Sequence, residues 1–66
     1  MDYVKLNEVV DGSGLVKTRI AAEMGISPQS FQDKMRGRRN WTLKDVIGFS
    51  RALHLTNKQR DDIFLR

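Results

Sequence analysis

The sequence predicts an all-α fold, a compact four-to-five-helix bundle. Apolar residues recur at helical spacing, and Ser or Thr stands three times where a helix would begin. No run alternates apolar and polar residues between turn signals, as a half-buried strand would.

Tyr3, Leu6 and Val10 share one face of a short first helix over residues 3–10. Asp11-Gly12-Ser13-Gly14 breaks it, because two glycines in four residues favour a turn. A second helix runs from about Lys17 to Met24, with Ile20, Ala21 and Met24 inward and Gly25 as its left-handed stop. The third helix has the clearest start. Ser27 is a good N-cap, and Pro28 suits the first helical position, where its missing N–H costs nothing. That helix runs to about Arg36 and ends at Gly37. Thr42 caps a fourth helix, with Asp45 in capping-box position and Trp41 placed to staple against Val46. Its inward arc is expected to be Leu43, Val46, Ile47 and Leu53, with His54 and Leu55 closing it. Thr56 and Gln59 repeat the capping box and open a short fifth helix carrying Ile63, Phe64 and Leu65.

A chain of 66 residues holds one domain at most. It buries only about 60% of its unfolded surface, so its core is small. There is no cysteine, hence no disulfide or thiolate metal site, which fits a reducing compartment. No apolar run approaches the roughly 20 residues needed to span a bilayer, and Met-Asp-Tyr-Val-Lys lacks the marks of a signal peptide. We therefore expect a native short protein of the cytoplasm. The net charge is +4, and its placement matters more than its size. Between Lys17 and Lys44 stand seven basic residues (Lys17, Arg19, Lys34, Arg36, Arg38, Arg39, Lys44) against two acids, Glu23 and Asp33, a local +5. The rest of the chain sums to −1. A localised basic patch is the footprint of a polyanionic partner, although a solubilising surface would look the same on composition alone.

Two helices joined by Gly25-Ile26-Ser27 have the connection that places a second helix in the DNA major groove. Ala21 is small where the helices would touch, Gly25 is free to take positive φ, and Ile26, Phe31 and Met35 can tie the second helix down. The run from Lys17 to Gly37 resembles the helix-turn-helix of the phage Cro/CI repressor (XRE) family. The likeness continues through Trp41-Thr-Leu-Lys-Asp-Val-Ile and from Ala52 to Phe64, covering roughly residues 15–65. Together these segments resemble the short Cro-like regulators of phages and prophages in Gram-positive bacteria. The resemblance implies a lambda-repressor-like bundle forming one domain over 1–66, with its motif at about 17–36. It also implies a sequence-specific, double-stranded DNA-binding transcription regulator in the bacterial or phage-infected cytosol. Two positions depart from the family pattern: Lys34, where an apolar residue is usual, and Val16, where many relatives place a hydroxyl or amide cap.

The third helix can be read independently. With Phe31 at 0° and steps of about 100°, Met35 falls near 40° and Pro28 near 60°, while Arg36, Gln29 and Asp33 fall near 140°, 160° and 200° and Gln32 near 100°. The outward face thus offers two amides, a guanidinium and a carboxylate. Gln pairs with adenine, Arg with guanine, and a carboxylate accepts from cytosine N4. Gln29, Gln32, Asp33 and Arg36 are accordingly the candidate base readers, against the alternative of an ordinary solvated face. Asp33 faces phosphates that repel it, so it could instead pair with Arg36 or Lys34, or act by rejecting wrong sequences. Lys34 near the end of the recognition helix and Arg38, Arg39 and Asn40 after it are expected on phosphates, as are Ser30 and, on the other flank, Lys17 and Thr18. Trp41 reads as core or staple, and His54 as a helix-terminal residue without metal partners.

No histidine–nucleophile pair, glycine-rich phosphate loop or metal-ligand spacing is present, so we expect no enzyme, no cofactor and no small-molecule substrate. The rival expectation is an antirepressor or antitoxin-like protein-binding module on the same fold. A homodimer on DNA is a further expectation, since one module covers little of an operator. The Ile63-Phe64-Leu65 end could supply that contact, or could close the monomer's own core.

Overall fold

Five helices follow one another along the chain: α1 (Tyr3–Gly12), α2 (Lys17–Met24), α3 (Pro28–Met35), α4 (Leu43–Ala52) and α5 (Asn57–Phe64). The computed structural model describes residues 1–65, and no strand occurs among them. Asp2, Ser27, Thr42 and Thr56 start four of the five helices, each side-chain oxygen accepting a backbone N–H of the first turn. Both expected capping boxes are present. Gly25 ends α2 at φ 74°, so that Ile26 N–H donates to the Ala21 carbonyl at 3.0 Å and Gly25 N–H to that of Ala22 at 3.0 Å. This pair of bonds is the Schellman closure, and its left-handed residue favours glycine. Ser27 caps the next helix two residues later, so the α2–α3 connection is as short as the sequence implies.

Every helix contributes to one core. Leu6 and Val10 come from α1, Ile20, Ala21 and Met24 from α2, Phe31 and Met35 from α3, Phe49 and Ala52 from α4, and Ile63 from α5. α2 packs on α3 and α4, while α1 packs on α3 and α5. The two ends of the chain are joined by Asp2 N–H donating to the Ile63 carbonyl at 2.7 Å.

The inward arc of α4 differs from the expected one. Leu43 and Ile47 are 76% and 42% exposed, and Phe49 and Ala52 take the buried positions. Phe49 follows Gly48, which lets α4 approach α2 closely: a Cβ at Gly48 would lie 3.2 Å from Met24 Cα. Gly48→Ala is therefore expected to destabilise by about 1 kcal/mol, since separating two backbones outweighs the better helix propensity of alanine. A lower urea midpoint at unchanged slope would show this, and a raised midpoint would contradict the close-approach explanation. Tyr3 is also more exposed than its spacing suggests, at 40%. At the other end, Ile63 is buried and Phe64 packs against the core, leaving only Leu65 outside. The Ile63-Phe64 pair thus helps to close the monomer's own core.

Candidate nucleic-acid interface

On α3 the apolar and polar residues separate as the wheel requires. Phe31 and Met35 are buried, while Gln29, Gln32 and Arg36 are exposed. Arg38, Arg39 and Asn40 are exposed in the segment joining α3 to α4, as are Lys17 and Thr18 at the start of α2. Ser30 is half-buried, its N–H donating to Ser27 Oγ at 3.1 Å.

Lys34 does not join this set. It is 8% exposed, and its ammonium donates to Asp45 Oδ2 at 2.7 Å and to the Asn40 carbonyl at 2.9 Å. The expectation of a phosphate contact from Lys34 is therefore corrected. On the wheel Lys34 lies at about −60° from Phe31, nearer the buried side than the outward one. A charge there must find a partner, because an unpaired buried ammonium is strongly disfavoured. Asp45 supplies it. Its Oδ2 also accepts the Thr42 N–H at 2.9 Å, so one carboxylate completes a helix cap and an ion pair together. Burial pushes the Asp45 carboxyl up, but the hydrogen bonds from Lys34 and Thr42 and the Lys34 charge outweigh it. They hold the pKa below the ordinary 3.8.

Lys34 organises the basic segment that follows it. Its carbonyl accepts the Trp41 indole Nε1–H at 3.0 Å, while its ammonium holds the Asn40 carbonyl from the other side. Trp41 meets Phe49 edge-on at 5.3 Å between ring centroids and Phe64 at 5.0 Å. These contacts hold the tryptophan against the core. At the helix end, Gly37 takes φ 78°, and the Arg38 N–H donates to the Asp33 carbonyl at 2.8 Å. Residues 36–40 are thus fastened at both ends, and their arginines project from a fixed backbone. Arg36, Arg38 and Lys17 have no ion-pair partner among the described residues, whereas Arg39 Nε lies 3.4 Å from Asp33 Oδ2.

Two further features bear on this surface. Gln29 Nε2 donates to Asp33 Oδ1 at 3.2 Å, so Asp33 is engaged by Gln29 and Arg39 and not by Arg36 or Lys34. The second concerns α2, the one helix without a side-chain cap, with Val16 65% exposed at its N-cap position. The first backbone N–H groups of a helix have no intrahelical acceptor, and uncapped they attract an anion.

No family model, curated protein or solved structure was found to match this chain.

Proposed function

We propose that the chain is a sequence-specific double-stranded DNA-binding protein, a Cro-like transcription regulator whose α2–turn–α3 unit is a helix-turn-helix of the lambda-repressor type. In this reading α3 enters the major groove, with Gln29, Gln32 and Arg36 at base edges. Arg38, Arg39, Asn40, Lys17, Thr18 and Ser30 lie on phosphates. The observation that carries the reading is the division of α3 and its sequel. Phe31, Lys34 and Met35 are held inward, and a face of two amides and an arginine runs directly into a braced segment bearing two more arginines. Amides and guanidinium groups recognise base edges, and the adjoining cations neutralise phosphate, which is the division of labour that DNA recognition requires.

The uncapped start of α2 supports the same reading and yields a separate prediction. Val16→Asp supplies the missing acceptor and is expected to stabilise the fold by about 1 kcal/mol. If the α2 N-terminus holds a phosphate, the same change weakens duplex binding, because a carboxylate then occupies the anion's place. Unfolding and binding measured on one sample would show opposite signs. Equal or tighter DNA binding by Val16→Asp would remove the α2 N-terminus from the interface.

The experiment for the function itself is selection from a randomised duplex pool, followed by titration of the enriched duplex and a scrambled one at fixed salt. A preference on the order of 10³ or more is expected of a specific site. Equal affinity for both duplexes would refute sequence recognition. The protein-binding alternative draws on Leu43 and Ile47, large apolar side chains exposed on α4. It gains ground if Leu43→Asp abolishes activity in cells while DNA binding in vitro persists.

A further inference from the structure

We propose that Asp33 is a positioning residue that reads no base itself and instead fixes how Gln29 and Arg39 meet the DNA. This rests on the reading of α3 as the base-reading helix. The ionised carboxylate can only accept hydrogen bonds, and each of its oxygens faces a different donor. Oδ1 takes Gln29 Nε2 at 3.2 Å, from one turn earlier on α3. Oδ2 faces Arg39 Nε at 3.4 Å, from the segment beyond it. The Asp33 side chain is 17% exposed against 61% for Arg39, so the carboxylate lies beneath the groups it holds. A direct contact with cytosine would need it outermost.

The arrangement has a chemical consequence for Gln29. An unbraced amide can turn over and exchange its donor and acceptor ends. With Nε2 committed to the carboxylate, Oε1 and the second Nε2 hydrogen are left as an oriented pair. Adenine accepts such a pair in the major groove through N7 and N6–H. Arg39 turns its Nε side toward Asp33 in an ion pair and keeps four terminal N–H groups for phosphate. The Arg38 N–H on the Asp33 carbonyl ties the same residue to the backbone of the basic segment. Asp33 thus couples base selection to phosphate placement at the cost of one negative charge near the DNA. Its removal should therefore have effects of opposite sign: sharper selection is lost while general affinity for duplex DNA does not fall.

The test compares wild type, Asp33→Ala, Asp33→Glu, Gln29→Ala and the Gln29→Ala/Asp33→Ala double variant. Each is titrated against the duplex enriched by wild type and its single-base-pair variants. NMR of the Gln29 side-chain amide and Arg39 Nε is recorded in the free proteins. Expected for Asp33→Ala are displaced Gln29 and Arg39 signals and about tenfold weaker discrimination at the base pair that Gln29→Ala identifies. Affinity for mixed-sequence duplex should be equal or higher. Asp33→Glu should recover most of the discrimination, and the double variant should discriminate no worse than Gln29→Ala alone. If Asp33→Ala changes preference at a base pair that Gln29→Ala leaves alone, Asp33 reads its own base and the proposal fails. Undisplaced NMR signals, or unchanged preference everywhere, overturn it too. Displaced signals in Asp33→Ala together with a wild-type protein that shows no sequence preference would instead overturn the DNA reading, and this role with it.

Discussion

Replacing Asp45 by alanine is expected to remove about 3–5 kcal/mol of stability, because it strands the Lys34 ammonium in the interior. The side chains of the pair are only 10% and 7% exposed, so solvent screening does little for either charge. The loss also releases the Thr42 N–H from its acceptor and undoes half of the α4 capping box. In a domain this small, that is a large part of a total stability of about 5–15 kcal/mol. Lys34→Met should cost less, since Asp45 still accepts from Thr42. A Lys34→Met/Asp45→Leu double variant should regain stability relative to Asp45→Ala, because a buried ion pair replaced as a unit leaves no orphan charge. Urea unfolding followed by Trp41 fluorescence measures all three. An Asp45→Ala protein within about 1 kcal/mol of wild type would mean that the ion pair is not buried in solution.

The same pair sets an acid limit. The Asp45 carboxyl titrates below 3.8 in the folded protein, so at low pH the unfolded chain binds its proton first. The stability this provides is complete above 3.8 and is lost as pH falls through the folded value. In Lys34→Met, burial is opposed by Thr42 alone, and acid unfolding should begin at higher pH than in wild type.

Alanine at Arg36, Arg38 and Arg39 together should weaken DNA binding and flatten its dependence on salt. Each phosphate contact displaces counterions and contributes about 0.9 to the slope of log K against log salt. Loss of the Arg38 and Arg39 phosphate contacts should therefore lower the slope by about 2, while the change at Arg36 removes a base contact. Stability should stay within about 0.5 kcal/mol, because Arg36 and Arg38 have no ion-pair partner among the described residues and the Arg39 side chain is 61% exposed. Weakened binding at an unchanged slope would mean that these arginines act other than through phosphate. Unchanged binding would remove the segment from the interface altogether.

The element order was legible in the sequence because it is written in local signals: Ser27-Pro28, Thr42 with Asp45, Thr56 with Gln59, and Gly25 each act within a few residues. The exposed face of α3 was legible for the same reason, since the helical period puts Phe31 and Met35 on one side and Gln29 and Arg36 on the other. Tertiary choices were not. Leu43 and Phe49 are both apolar residues on α4, and which of them turns inward depends on Gly48 meeting Met24 across the bundle. Lys34 counted as surface charge because lysine usually is, yet its angle beside Phe31 and the acid at Asp45 together marked a buried pair. The Asp33–Arg39 contact required the path of residues 37–39, which the turn at Gly37 determines.

DNA binding through α3 is tested most directly by an amide-resolved NMR titration with a mixed-sequence duplex at low and moderate salt. The expected result is a set of shifts at Lys17–Thr18, Gln29–Asp33 and Arg36–Trp41 that fades as salt rises, with Leu43 and Ile47 unaffected. Still amides at those positions, or shifts centred on Leu43 and Ile47, would contradict it.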